Sequence, residues 1–211
     1  MTMKDCMIAR LLIILFIFAS ILLLSSCDKI NLNLPQWLNP KKNEAFEAAG
    51  FDWPRWRGPE GNGKSREMDW NPKALGEGPT VLWRTNVGFG YSNVAIEDDR
   101  LYTMGRKREK NNINNFVLCL DTRNGKLIWK YSYENIYDPQ STPTIDGDYI
   151  YALNQTGNML CLNKKNGRVR WSRNIVKEYQ AKPPHYGISG SPIIAGDLII
   201  LTANTVGMAL N

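Results

Sequence analysis

The chain of 211 residues is poor in the side chains on which metal and redox chemistry depend. It contains one histidine, His185, and four cysteines. A lone histidine with no carboxylate close by in sequence does not build a zinc site, and His185 has no neighbouring nucleophile to activate. Only Cys119 and Cys161 fall in the part that we expect to fold, which is too few for a disulfide framework. The composition therefore disfavours histidine-based zinc sites and disulfide scaffolds.

Long apolar runs are also scarce. The one continuous run, Leu11–Leu24, is too short to span a bilayer comfortably and follows two cationic residues, as in an export signal. It ends in Leu24-Ser25-Ser26-Cys27, which resembles the lipobox of bacterial lipoproteins. The resemblance predicts a signal peptide over 1–26 and a lipid on Cys27, with the protein held to the inner or outer membrane and facing the periplasm. An uncleaved anchor helix is the alternative.

The excess of charge of one sign is small over the whole chain. The formal net charge of +6 is modest and scattered, so it predicts no nucleic-acid binding. Residues 58–65 match the phosphate-loop pattern G-x-x-x-x-G-K-[ST], but no buried strand precedes them and Pro72 and Gly76 interrupt any helix after them. We therefore expect a glycine loop and no nucleotide.

Alanine is scarce too, whereas the chain has 7 Trp, 9 Tyr and 6 Phe residues, which favour strands over helices. We expect a membrane tether over 27–50 and an irregular segment rich in aromatic residues and proline over 51–79. From residue 80 to residue 211, short β-branched and aromatic runs alternate with Gly, Asn and Asp, which predicts strands. Within this part, the basic run Arg106–Lys110 is interpreted as a solvated loop.

The strand-rich part repeats. Residues 117–129 align without gaps on residues 159–171 at an offset of 42, with six of thirteen positions identical. Thr142-Pro143 and the strand after it match Ser191-Pro192 at an offset of 49, and a weaker copy begins near Asn93. A period of 40 to 50 residues predicts a β-propeller with one four-stranded blade per repeat.

Each repeat has a physical interpretation. Asn124-Gly125 and Asn166-Gly167 predict β-hairpins in which both central residues have positive φ. The Ser/Thr-Pro pair before each hairpin marks the start of the innermost strand, where proline is tolerated. A Trp at one fixed position per repeat can pack between blades, since one ring buries roughly 200 Å².

These residues resemble the tryptophan-docking motif of the pyrroloquinoline-quinone (PQQ)-like β-propeller repeats, small-x-Asp-x-x-Thr-Gly-x-x-x-Trp. Cys119 and Cys161 stand where the family prefers Ala, and Asn replaces Thr at the sixth position. Trp83 resembles the end of an earlier, degenerate copy. The resemblance implies a blade-docking role for nine residues, namely Trp83, Cys119, Asp121, Gly125, Trp129, Cys161, Asn163, Gly167 and Trp171.

The family includes quinoprotein alcohol dehydrogenases, with PQQ and Ca²⁺ on the propeller axis, and non-catalytic lipoproteins of the outer-membrane assembly machinery. Both resemble eight-bladed rings, which at about 45 residues a blade need about 360 residues. This chain has about three recognisable blades. Alignment of Ala209-Leu210-Asn211 with Cys161-Leu162-Asn163 leaves the last unit without its outer strand. We therefore expect an all-β, partial propeller with an incomplete ring.

The resemblance implies a lipoprotein that binds other envelope proteins and performs no covalent chemistry. No catalytic, cofactor-binding or metal-binding residue is predicted. The dehydrogenases carry an adjacent Cys-Cys pair against their cofactor, and this chain has none. Two alternatives stay open: the N-terminal part of a PQQ- and Ca²⁺-dependent oxidoreductase, and a non-functional gene fragment. Because an open propeller exposes strand edges, we expect the chain to associate or to be poorly soluble.

Overall fold

The computed structural model describes residues 52–68, 71–76, 78, 80–109, 112–203 and 206–211. The predicted signal peptide, the lipidated Cys27 and the tether over 27–50 lie outside the described residues. Of the residues that are described, none belongs to a helix long and apolar enough to cross a membrane.

Three antiparallel sheets follow one another along the chain. The first has the order β1-β2-β3-β4 and the second the order β5-β6-β7-β8, whereas in the third β10 lies between β9 and β11. The strands of the first sheet are β1 (Ala95–Glu97), β2 (Arg100–Glu109), β3 (Asn112–Asp121) and β4 (Leu127–Glu134). Those of the second are β5 (Thr144–Asp146), β6 (Tyr149–Leu153), β7 (Asn158–Asn163) and β8 (Val169–Asn174). The third contains β9 (Ile193–Ala195), β10 (Leu198–Ala203) and β11 (Val206–Leu210).

The short strands β1, β5 and β9 lie side by side at the inner edges of the three sheets. β5 begins directly after Pro143 and β9 directly after Pro192, which confirms that the Ser/Thr-Pro pairs precede the innermost strands. The Thr144 hydroxyl donates to the carbonyl of Pro192 at 2.5 Å and so ties one inner strand to the start of the next. This arrangement confirms the prediction of a partial β-propeller built from four-stranded blades.

Of the three apolar clusters among the described residues, two lie between neighbouring sheets, and the third, formed by Phe116, Leu118 and Leu120, packs with Val87 on the first sheet. One cluster joins Tyr102, Val117 and Trp129 of the first sheet to Ile150 and Leu162 of the second. A second cluster joins Leu153 and Met159 to Leu201 and Ala203 of the third sheet. A sheet buries its faces only against its neighbours, so each blade depends on the next for its stability.

The hairpins after β3 and β7 form as predicted, but their predicted turn type is wrong. Gly125 (φ 68°) and Gly167 (φ 71°) have positive φ, whereas Asn124 and Asn166 do not. The Gly125 amide donates to the carbonyl of Asp121 at 2.8 Å, which closes a four-residue loop with its glycine in the left-handed region. The ladder shifts register after Cys119 to absorb the extra residue.

The basic run was also interpreted wrongly, because β2 extends through Glu109 and contains Arg106. The Arg106 guanidinium forms an ion pair with Asp138 at 2.7 Å and donates to the carbonyl of Ile136 at 2.6 Å. Residue 106 therefore holds the loop after β4 in place. The ion pair neutralises its charge within the protein.

Among the described residues, two short helical elements accompany the sheets, a 3₁₀ turn at Pro72–Leu75 and helix α1 (Ile175–Tyr179) after β8. Trp53, in the irregular segment, exchanges backbone hydrogen bonds with Ile96 of β1 at 2.8 and 2.9 Å, and Pro54 accepts from the amide of Ile145. This segment therefore crosses the inner edges of the first two sheets.

Candidate functional site

The outer strands β4 and β8 each carry a tryptophan, Trp129 and Trp171, at the side that faces the next sheet. The ring of Trp129 on β4 lies over Gly167, where an added Cβ would approach its Cε3 to 2.6 Å. Its indole nitrogen donates to the carbonyl of Lys164 at 3.0 Å, and its ring packs on Tyr102 with centroids 5.9 Å apart. A side chain larger than hydrogen has no room at this position, so glycine is required by both space and backbone angle.

The same arrangement occurs one unit earlier. The Trp83 indole donates to the carbonyl of Thr122 at 2.7 Å, and its ring covers Gly125. The Thr85 hydroxyl adds a bond to the carbonyl of Gly125 at 2.7 Å. The two accepting carbonyls, of Thr122 and Lys164, occupy equivalent positions of the repeat.

Trp171, the third tryptophan of the repeats, has different surroundings from Trp83 and Trp129. Trp171 on β8 packs against Tyr151, with centroids 6.1 Å apart, but its indole nitrogen has no hydrogen-bond partner among the described residues. It borders an open cavity of about 780 Å³ that Leu198 and Leu210 also line. The third sheet supplies no turn glycine beneath this ring in the part of the chain that the structure describes.

Asp121 and Asn163 begin the two turns. The Asp121 carboxylate accepts from the Arg123 amide at 2.9 Å and from the Arg123 guanidinium at 3.1 and 2.7 Å. These hydrogen bonds lower the pKa of Asp121 to about 2. The Asn163 side chain accepts from the Lys165 amide at 3.1 Å, so it closes the second turn without a charge.

Cys119 and Cys161 are free, buried and located on different sheets. Each faces a tyrosine across the ladder, Tyr102 in the first sheet and Tyr151 in the second. Burial raises the pKa of both thiols, that of Cys161 to about 11. A protonated, buried thiol packs as a small apolar group and is a poor nucleophile.

Several docking contacts were not predicted from the sequence. Lys164 forms an ion pair with Glu97 of β1, and its carbonyl also accepts from the Tyr102 hydroxyl at 3.3 Å. Arg100 donates to the carbonyl of Lys165 at 3.2 Å. The turn after β7 is thus held by polar groups of the first sheet as well as by the Trp129 ring.

At the opposite end of the sheets from these turns lies a group of exposed apolar side chains, here called the loop surface: Phe89, Tyr91, Ile136, Tyr137 and Tyr186. Phe89, Tyr91 and Tyr186 are 73%, 76% and 77% exposed. Their backbones are nevertheless held, since the Tyr91 amide donates to Pro139 at 2.8 Å and Gln140 donates to the carbonyl of Tyr186 at 3.1 Å. No periodic pattern in the sequence indicates this group, because its members come from three separate loops.

The only histidine of the chain lies beside the loop surface. His185 lines a cavity of about 330 Å³ together with Tyr137, Pro184 and Gln155, and its ring packs edge-on against Tyr186 at 5.0 Å. Thr156 also lines this cavity, and its hydroxyl donates to the Asn154 side chain at 3.0 Å. The groups around the cavity can contact a partner.

The alternative of a PQQ- and Ca²⁺-dependent enzyme would require ligands for the ion and a cover for the quinone ring. In the described part of the chain, no three His, Cys, Asp or Glu side chains come together as metal ligands. The two cysteines of this part are 42 residues apart, so no adjacent pair can cover a quinone ring.

Gly58–Ser65, which matches the phosphate-loop pattern, forms turns around Gly58, Gly61 and Gly63. The residues before it pair with β1, and residues 64–68 are not helical. A phosphate cradle requires a strand, a loop and the N-terminus of a helix in that order. The segment has a different geometry.

Part of the chain is similar in sequence to known proteins. Residues 117–210 match the family model described as outer membrane protein assembly factor BamB. The chain is 26% identical over 119 residues to the BamB proteins of Escherichia coli (strain K12) and Shigella dysenteriae serotype 1 (strain Sd197), which covers 50% of this chain. It spans 29% of the length of these curated relatives.

Two solved structures are similar in fold. A quinohemoprotein alcohol dehydrogenase from Comamonas testosteroni superposes with a TM-score of 0.52 and 18% identity, over 71% of this chain and 23% of that one. A europium-containing methanol dehydrogenase superposes with a TM-score of 0.53 and 12% identity, over 71% and 27%. Residues 117–210 are thus similar to the repeats of the PQQ-like β-propeller family, and the solved structures share the propeller fold.

Proposed function

We propose that this chain is a protein-binding module of the cell envelope, held to a membrane by a lipid on Cys27, and that its loop surface recognises other envelope proteins. The name of the matched relatives, outer membrane protein assembly factor, supports an envelope role. The lipobox-like Leu24–Cys27 supports the anchor.

The observation that carries the proposal is the loop surface itself. Tyr91, Tyr186 and Phe89 expose large aromatic areas while backbone hydrogen bonds fix the loops that bear them. Aromatic side chains held in place lose little entropy on binding and dominate the energetics of interfaces. A monomeric soluble surface rarely gathers so many exposed apolar groups without a partner.

The binding proposal is tested by photo-crosslinking in cells. A photoreactive amino acid is placed at Tyr91 or Tyr186, and, as matched controls, at the exposed Asn124 or Arg168 in the turns at the opposite end of the sheets. We expect discrete adducts with envelope proteins from the first pair and none from the second. Equal yields at both ends, or no adduct at Tyr91 and Tyr186, would contradict the proposal.

The anchor is tested separately. Radiolabelled palmitate should label the wild-type chain, and Cys27→Ser should abolish the label and release the protein from the membrane fraction. A Cys6→Ser variant is the matched control, because Cys6 lies within the predicted signal peptide and should leave labelling unchanged. Labelling that survives Cys27→Ser would exclude the lipid on this residue.

A further inference from the structure

The cavity of about 330 Å³ beside the loop surface is formed by the three connections that follow β4, β6 and β8. Val176, Pro183 and Pro184 supply apolar walls, and the exposed side chains of Tyr137 and His185 border them. All its lining residues lie within 137–187, a range that the structure describes without a gap. The shape of the cavity therefore depends only on this continuous part of the chain.

Hydrogen bonds hold these connections in place. The Tyr137 amide donates to the Asn135 side chain at 2.9 Å, and the Tyr137 carbonyl accepts from the buried Asn115 side chain at 2.9 Å. The Ile188 amide donates to the carbonyl of Gln155 at 2.9 Å, which ties the last connection to the middle one. A cavity whose walls are already fixed loses little conformational entropy when a ligand enters it.

The edge of the cavity carries an excess of positive charge. Three cations at this end of the sheets are paired with acidic groups, namely Arg106 with Asp138, Lys107 with Glu109 and Arg173 with Glu178. Arg108 and Glu134 form no ion pair among the described residues and offset each other in sign. Lys177 and Lys182 are exposed, have no acidic partner in the described part of the chain, and adjoin two residues of the cavity wall.

We propose that the partner recognised by the loop surface presents an acidic peptide segment, and that one aromatic side chain of this segment inserts into the cavity. This proposal rests on the binding role of the loop surface given above. The cavity volume is at the lower limit of the range of about 300–1,000 Å³ for small-molecule pockets, so it suits a single large side chain.

The walls and the charges select the chemistry of this segment. An aromatic ring packs favourably on the Tyr137 ring and on the apolar faces of Pro183 and Pro184. Asp and Glu on either side of the inserted ring would lie near Lys177 and Lys182, where opposite charges favour encounter and fix orientation. A basic segment would be repelled at the same place.

The preference for acidic segments is tested with the detergent-solubilised full chain and three fluorescein-labelled peptides. Each peptide has a central Trp, flanked by Asp and Glu in the first, by Asn and Gln in the second, and by Lys and Arg in the third. Fluorescence anisotropy should show the acidic peptide binding about tenfold or more tightly than the basic one, with the neutral one between them. No binding of the acidic peptide, or equal affinities for all three, would overturn the proposal.

Charge reversal separates a local effect from the net charge of the protein. Lys177→Glu with Lys182→Glu should reverse the order of the three affinities. In the matched control, Lys126→Glu with Lys165→Glu, the same change is made at exposed turns at the opposite end of the sheets, and the wild-type order should remain. Circular dichroism verifies the fold of both variants. An order that survives the first pair, or that both pairs reverse, would overturn the proposal.

The insertion of the ring is tested by removing one wall of the cavity. Tyr137→Ala keeps the backbone hydrogen bonds of that residue and should weaken binding of the acidic Trp peptide by about tenfold. It should leave unchanged the weaker binding of a fourth peptide, in which Ala replaces the Trp. Tyr179→Ala is the matched control, because Tyr179 is 49% exposed, against 51% for Tyr137, and does not line this cavity.

Equal losses in both tyrosine variants, or equal affinities for the Trp and Ala peptides, would overturn the insertion into the cavity. Photo-crosslinking distinguishes this failure from that of the proposed function. Adducts at Tyr91 and Tyr186 without any preference for the acidic peptide would retain the envelope-binding role and overturn only the acidic, aromatic partner.

Discussion

The indole nitrogen of Trp129 and the carbonyl of Lys164 are 3.0 Å apart, and this hydrogen bond joins the outer strand of one blade to the turn of the next. The pair repeats one unit earlier, where Trp83 donates to Thr122 at 2.7 Å. Each junction thus combines a buried aromatic ring with one directed bond. The ring supplies apolar burial, and the bond sets the position at which it docks.

We predict that Trp129→Ala lowers the free energy of unfolding by about 3–5 kcal/mol, because it removes a buried aromatic ring between two sheets. Trp129→Phe keeps most of the apolar contact and should cost only about 1 kcal/mol for the lost hydrogen bond. Urea denaturation followed by circular dichroism measures both values.

Trp171→Phe is the matched control, since the described residues offer its indole nitrogen no acceptor. It should cost less than Trp129→Phe. If the two Phe variants are equally destabilised, the Lys164 bond contributes nothing to the docking of the ring.

A second prediction separates backbone strain from steric contact at the turn glycines. Gly167→Ala introduces both effects, because φ is +71° and the added Cβ lies 2.6 Å from the Trp129 ring. Gly196→Ala introduces backbone strain alone, since φ is +60° and no atom lies within 4 Å of the added Cβ. We expect a loss of about 1–2 kcal/mol for Gly196→Ala and a clearly larger loss for Gly167→Ala, measured as thermal unfolding. Equal losses would mean that the ring moves aside at no cost.

The repeat explains why much of the fold was predictable. The hairpin glycines, the Trp positions and the Ser/Thr-Pro pairs are set by side-chain chemistry, and two copies 42 residues apart made the pattern visible. The acceptors of the indole bonds were not predictable, because the carbonyls of Thr122 and Lys164 are backbone groups that every residue has. The turn type was wrong because Asn-Gly is compatible with both two-residue and four-residue loops.

The loop surface was missed for a different reason. Tyr91 and Tyr186 are far apart in sequence, and Pro139 and Gln140 bring them together through hydrogen bonds that no local pattern encodes. Arg106 looked like part of a solvated basic run because its partner Asp138 lies across a long connection. Surfaces built from several loops depend on tertiary structure, so composition and periodicity do not reveal them.

A third prediction concerns acid stability. The pKa of Asp121 in the folded protein is about 2, below its ordinary value of 3.8. The stabilisation that this carboxylate adds to the folded state is therefore present above pH 3.8 and is lost as the pH falls towards 2. Asp121→Asn should retain the turn, as Asn163 does in the next unit, and should lose less stability between pH 4 and pH 2 than the wild type. The urea midpoint at each pH measures this difference.

Asn163→Asp is the reciprocal variant. The residue two positions later is Lys165, and its amide already donates to the side chain of residue 163. A carboxylate at residue 163 should make the variant lose more stability than the wild type between pH 4 and pH 2. Identical pH profiles for the wild type and Asp121→Asn would show that the Arg123 contact makes no difference between the folded and unfolded states.

The last prediction concerns the loop after β4, which Arg106 holds through Asp138 and the carbonyl of Ile136. Arg106→Lys keeps the charge but loses the planar guanidinium that reaches both acceptors, so the loop should open more often. We expect a cost of about 1 kcal/mol, equivalent to about fivefold faster hydrogen exchange at the amides of Tyr137 and Asp138. Lys107→Gln, at the neighbouring exposed position, should leave exchange at these amides unchanged. Because Tyr137 belongs to the loop surface, Arg106→Lys should also reduce the photo-crosslinking yield at Tyr91, while Lys107→Gln should not. Unchanged exchange in Arg106→Lys would mean that other contacts suffice to hold the loop.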